Sequence, residues 1–167
     1  VMMAIVFTFG WSQPPDKVGQ VIGTIGESRT VGYANHGAAG MLTLFIRGVL
    51  CNWMVSAGVV GTMISTTVSG KVIAVWMPIM LFFVMTFEHS IVNMFLFPSG
   101  LLLGGKFTWW DYIFWNEIPT VIGNLVGLAF ALTAFCLSVV SFPLLLDRDV
   151  GFAGAVITSL RVVAENP

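Results

Sequence analysis

Four side chains able to do chemistry crowd into one heptapeptide, Phe87-Glu88-His89-Ser90-Ile91-Val92-Asn93, inside an apolar run from Lys71 to Gly104. A carboxylate at mid-bilayer costs about 2.5 to 3.5 kcal/mol on an insertion scale, so one kept there marks a functional site by default. The imidazole of His89 adds a hydrogen-bond donor suited to a passing anion, and its unperturbed pKa of about 6.5 lets it change protonation near physiological pH. Few other side chains do both. Covalent catalysis has little to build on. Ser90 beside His89 does not make a nucleophile and its base, because sequence neighbours diverge on a helix and no carboxylate is set to orient the ring. Ser69-Gly70-Lys71 lacks the first glycine of a phosphate loop, Ser65 standing in its place, and His36 and His89 occur without an HExxH pattern. These residues lead to no enzyme, no cofactor and no metal. The bland alternative is that Glu88, His89 and the amides Asn52, Asn93 and Asn124 only tie helices together by hydrogen bonds to one another or to broken backbone.

The elements that must position this group are membrane helices. Of 167 residues, 57% are hydrophobic and 9% charged, against roughly 25% charged in soluble domains, which makes this an integral membrane polypeptide. Net charge is −1 and the seven Lys and Arg are scattered, so there is no electrostatic footprint for nucleic acid. Cys51 and Cys136 lie far apart in apolar stretches, outside any CxxC spacing, and read as small core residues.

As one straight helix, residues 71–104 would measure about 50 Å, against about 30 Å for the hydrocarbon core. The run therefore bends steeply or breaks near the polar knot, placing a pore loop near 88–93 about halfway through the membrane, with Pro98 beyond it. Around it, residues 1–9 read as the end of a membrane helix whose beginning lies upstream, which suggests a fragment. Residues 10–40, punctuated by Pro14-Pro15-Asp16 and several glycines, read as a turn-rich extramembrane connector. Residues 41–65 form a first complete span, with Arg47 near its start snorkelling toward the headgroups, and Thr66 to Lys71 a short polar turn. Residues 105–117, with Trp109, Trp110 and Tyr112, read as an interfacial loop. Residues 118–146 make a last span, with Pro119 and Pro143 near its ends, and 147–167 a tail that could fold back on the membrane surface. Gly123 and Gly127, four apart on one face of the last span, permit close helix contact. Counting Lys and Arg on alternate sides gives a tie, so orientation does not follow from charge.

Three blocks carry a resemblance. Arg47-Gly48-Val49-Leu50-Cys51-Asn52-Trp53-Met54-Val55, then Phe87-Glu88-His89-Ser90-Ile91-Val92-Asn93-Met94-Phe95, then Asn116-Glu117-Ile118-Pro119-Thr120-Val121-Ile122-Gly123-Asn124 resemble the formate/nitrite transporter family in order and composition, covering most of residues 41–130. The resemblance implies an all-α, polytopic membrane bundle with an aquaporin-like inverted repeat, in which this chain supplies the end of the third helix and helices four to six. It further implies a homopentamer in the cell (inner or plasma) membrane, with one pore per protomer, passing small monovalent anions such as formate, nitrite or hydrosulfide; whether protons accompany them, as in a proton-linked transporter, or not, as in a plain channel, stays open.

Carried over by position, His89 matches the family's central pore histidine and Glu88 its neighbouring carboxylate. Phe82 matches a ring at a pore constriction, Asn52 and Asn93 match amides around the pore, and Asn124 a structural amide of the sixth helix. His36 falls where many members carry a vestibule lysine. Either the alignment slips in this glycine-rich loop, or the charge there is titratable, in which case anion affinity should weaken as pH rises through about 6 to 7. Two other readings compete: a non-conducting membrane scaffold, and a channel for water or neutral solutes. Cation conduction is disfavoured because Glu88 reads as the only acid within the spans.

Overall fold

A computed structural model describes residues 17–147 and 150–166 of the chain. Every element among them is helical: α1 (Lys17–Ser28), α2 (Val31–Asn35), α3 (Gly37–Ile64), α4 (Val68–Val84), α5 (Ser90–Leu102), α6 (Trp109–Tyr112), a π-helical segment (Ile113–Glu117), α7 (Ile118–Ser138), α8 (Ser141–Asp147) and α9 (Phe152–Glu165). The helix end expected over residues 1–9 lies outside the described residues. Residues up to Gly127 form one compact unit and those from Leu128 a second.

In the first unit, α3 is apolar along its 28 residues, about 42 Å at helical rise and long enough to cross a bilayer with tilt. A short turn follows, closed by the Thr67 hydroxyl, which caps α4 by accepting from the Gly70 N–H at 3.1 Å. The polar turn read over Thr66 to Lys71 is thus shorter, because α4 already begins at Val68. Large apolar side chains of α4, among them Val72, Trp76 and Met80, are exposed. On a helix with no charged residue after Lys71, such a surface suits lipid rather than water.

The long apolar run divides at Met85–His89. Helix α4 closes with Met85 N–H donating to the Leu81 carbonyl at 2.9 Å and Phe87 N–H to the Phe82 carbonyl at 3.0 Å. Thr86 then takes φ +56°, a left-handed conformation that stops further helix. Helix α5 restarts at Ser90, with Asn93 inside it.

Two stretches read as irregular are helical. Within residues 10–40, Gly19, Gly23 and Gly26 are not turn punctuation: they form the buried face of α1. A Cβ on Gly23 would lie 3.2 Å from the Gly105 backbone nitrogen, so a smooth face lets α1 approach the segment after α5. Within residues 105–117, helix begins at Trp109, capped by a Thr108–Asp111 box in which each residue's side chain bonds the other's backbone N–H. It then passes through the π segment into α7. Pro119 supplies the reason: lacking an N–H, it leaves the Trp115 carbonyl without its helical partner, and the Ile118 N–H reaches back five residues to the Ile113 carbonyl.

Gly123 and Gly127 of α7 do meet α3 closely. A Cβ on Gly123 would lie 2.7 Å from the Phe45 carbonyl oxygen, and one on Gly127 would overlap the carbonyl of Val49. Arg47 does not snorkel outward; its guanidinium turns to Tyr33.

The second unit interrupts the span read over residues 118–146. Helix α7 ends at Ser138 and α8 starts at Ser141, because Pro143 cannot donate to the Val139 carbonyl. Ser159 of α9 serves the interruption: its hydroxyl donates to the Cys136 carbonyl at 2.7 Å and accepts from the Val140 N–H at 3.2 Å. Within the tail read over residues 147–167, Phe152–Glu165 are thus helical, held by the buried Ser159.

Candidate functional site

His89 is set by its neighbours' backbone. The break leaves the Glu88 carbonyl and the Ser90 N–H, one on each side of His89, without helical partners, and the Asn124 side chain holds both. Its Nδ2 donates to the Glu88 carbonyl at 3.0 Å and its Oδ1 accepts from the Ser90 N–H at 3.1 Å. The same Nδ2 donates to the Gly48 carbonyl of α3 at 2.9 Å, and Asn52 Nδ2 donates to the backbone carbonyl of Asn124 at 2.7 Å. One amide thus mimics a missing strand of backbone, tying α3, the break and α7 at a single point. Of the three amides expected to pair with one another or with broken backbone, Asn124 does bond the break, whereas Asn52 reaches a backbone carbonyl inside α7 and Asn93 the side chains of Glu88 and Asn116.

The half-buried imidazole stacks on Phe82, ring centroids 5.7 Å apart and planes 20° off parallel. Phe82 itself is buried and stacks on Phe83 at 4.4 Å. His89 Nδ1 is buried without a hydrogen-bond partner among the described residues. The residue lines a cavity of about 300 Å³ whose polar wall is Asn52, His89, Ser90 and Asn124 and whose apolar wall is Ile91, Val121 and Leu125.

Glu88 is placed differently from His89. Its side chain is fully buried, among donors that use both oxygens. Oε1 accepts from the Tyr33 hydroxyl at 3.0 Å and lies 3.7 Å from Arg29 Nε. Oε2 accepts from Asn93 Nδ2 at 3.0 Å and from Asn116 Nδ2 at 3.3 Å. A buried carboxylate is tolerable when a cation and several donors offset its desolvation, and this one has both. Asn93 Nδ2 also bonds Asn116 Oδ1 at 2.7 Å, and Asn116 Nδ2 bonds the Arg29 carbonyl at 3.0 Å. Glu88 and Asn93 therefore sit in a buried network joining the break to Arg29 in the turn after α1, to α2, to α5 and to the π segment. Phe82, Glu88 and Asn93 are not among the residues lining the His89 cavity.

His36 is exposed between α2 and α3, and lines a separate cavity of about 310 Å³ with Tyr33, Gly40 and Thr43. No group of three or more potential metal ligands occurs among the described residues.

Sequence reasoning did not single out Arg29, Tyr33, Asn116 or Glu117. For Asn116 a signal was available, since Asn116, Thr120 and Asn124 recur at four-residue spacing and share a helix face. Glu117 corrects the reading of Glu88 as the only acid within the spans. It is 8% exposed in a helix continuous with α7, with Oε2 accepting from the Tyr112 hydroxyl at 3.0 Å and Oε1 without a partner among the described residues.

Comparison with known proteins gives a consistent result. A profile described as formate/nitrite transporter matches residues 1–138. A probable formate transporter of Methanothermobacter thermautotrophicus is 39% identical over 111 residues, covering 62% of this chain and 40% of that protein. Formate-nitrite transporter 2 of Toxoplasma gondii is 42% identical over 83 residues, covering 50% of this chain and 18% of that protein. A formate channel of Haemophilus influenzae is 33% identical over 109 residues, covering 54% and 38% respectively. The chain thus spans less than half the length of these relatives. No solved structure matches it.

Proposed function

The chain belongs to the formate/nitrite transporter family, and from that premise we propose that it forms part of a pore through which small monovalent anions, formate or nitrite among them, cross the membrane. One pore runs through each protomer of a homopentamer, in a multi-pass protein of the cell (inner or plasma) membrane. His89 is the hydrogen-bond donor at the waist and the candidate proton donor to a weak-acid anion. Asn52 and Asn124 flank it, Phe82 forms the apolar constriction, and Glu88 and Asn93 hold the break from behind. His36 stands at the vestibule.

The observation that carries this reading is an imidazole with an unpartnered buried nitrogen on a cavity that is polar on one side and apolar on the other. An anion passing apolar walls sheds water at a cost that a donor offsets, and transfer of a proton to give the neutral acid lowers that cost further. A histidine does either without a permanent charge that would trap the anion. Helical membrane architecture and kinship with transporters also fit passage of a solute rather than turnover of a substrate. Uptake of labelled formate by lipid vesicles containing the protein tests the reading. His89→Asn should reduce flux and flatten its pH dependence; flux and pH profile both unchanged would remove the histidine from the mechanism.

A further inference from the structure

Tyr33, which the anion path as described does not use, sits where two cations and the buried carboxylate meet. It is 7% exposed. Its hydroxyl accepts from Arg47 Nη1 at 2.8 Å and donates to Glu88 Oε1 at 3.0 Å. Those directions are dictated, since a guanidinium only donates and an ionised carboxylate only accepts, while a hydroxyl has one proton and two lone pairs and does both. The guanidinium also lies over the Tyr33 ring, 5.9 Å from its centroid. Among the described residues the direct ion pair to Glu88 comes from Arg29 and not from Arg47. Tyr33 is therefore the link through which the Arg47 charge reaches Glu88.

Glu88 in turn is gripped at two points. Asn124 holds its carbonyl, and Tyr33 with Arg29 holds one oxygen of its carboxylate. The next residue is His89. With Thr86 at φ +56° nearby, neither the Glu88 carbonyl nor the Ser90 N–H has a helical partner, so the side-chain anchor of Glu88 acts together with Asn124 to fix where the imidazole begins.

We propose that Tyr33 is a positioning residue of the anion path: by joining Arg47 to Glu88 across its hydroxyl, it holds the break, and with it His89, in the conducting arrangement. The inference rests on the reading of His89 given above. Removing the hydroxyl keeps the ring that walls the vestibule cavity, so capture of the anion there is untouched while passage at the waist is not.

Formate flux into vesicles, normalised to folded protein, separates this role from simple stabilisation, which changes how much protein folds and not what each folded pore conducts. Tyr33→Phe should lower maximal flux about ten- to a hundredfold, the worth of one hydrogen bond to a charged group, and leave the half-saturating formate concentration unchanged. In a Glu88→Gln background the same substitution should have little further effect. Arg47→Lys, which keeps a cationic donor, should retain most of the flux, and Arg47→Met should lose it as Tyr33→Phe does. This pair decides the matter should Tyr33→Phe not fold. Wild-type flux per folded protein in Tyr33→Phe, or an equal fractional loss with and without the Glu88 carboxylate, overturns the proposal. A His89→Asn protein that has lost flux beside a fully active Tyr33→Phe protein defeats the Tyr33 inference alone; a fully active His89→Asn protein defeats the histidine reading beneath it.

Discussion

Replacing Asn124 by leucine, of similar size, removes three side-chain hydrogen bonds and should loosen the loop that carries His89. Their losses are unequal. The Gly48 carbonyl lies within α3, where the helix's own ladder supplies a donor. The Glu88 carbonyl and the Ser90 N–H have no such recourse in the break. A buried polar group left unpaired costs about 1 to 3 kcal/mol. Ser90 borders the cavity, where water can take up part of the loss, so the sum falls at about 2 to 4 kcal/mol. Borne by the conducting arrangement of the break, where each 1.4 kcal/mol is about tenfold in rate, that loss should lower formate flux per folded protein by about 25-fold or more. Melting of the detergent-solubilised protein should move down with it. Asn124→Asp is the sharper control. It keeps the acceptor for Ser90 N–H but turns a second oxygen toward the Gly48 and Glu88 carbonyls and buries a charge, so it should be at least as damaging as leucine although its shape is closer. An Asn124→Asp protein with wild-type melting and wild-type flux would refute the claim that this amide holds the break.

Two further outcomes follow from geometry elsewhere. Gly123→Val should lower the melting temperature by the equivalent of about 1 to 3 kcal/mol or more, since its Cβ would meet the Phe45 carbonyl oxygen at 2.7 Å; Gly154→Ala, with nothing within 4 Å, should not lower it, and equal effects at the two sites would contradict the close α3–α7 contact. Glu117→Gln keeps an acceptor for the Tyr112 hydroxyl and removes a buried charge with one unpartnered oxygen, so melting should occur at or above the wild-type temperature; a clear drop would mean the carboxylate's charge is itself held by a partner.

Local patterns account for part of this structure. Residues 71–104 are too long to cross once, and they divide between α4 and α5. Two glycines at helical spacing signal a close crossing, and α7 meets α3 there. Density of turn residues misleads at α1, where glycines read as punctuation instead form the side that approaches the segment after α5. Proline position is visible, but its consequence at Pro119 is not: the residue reads as a helix start, whereas the helix continues upstream by lengthening one turn.

From the chain alone came the membrane character, the interrupted helix and the heptapeptide holding Glu88 and His89, because apolar length, periodicity and the cost of charge in lipid are properties of neighbouring residues. Only the folded protein decided that Glu88 turns to Tyr33, 55 positions away, and to Asn116, 28 away, while His89 borders the cavity. Such pairings rest on which donors converge once the turn after α1, α2 and the π segment close around the break, and no local spacing records that convergence.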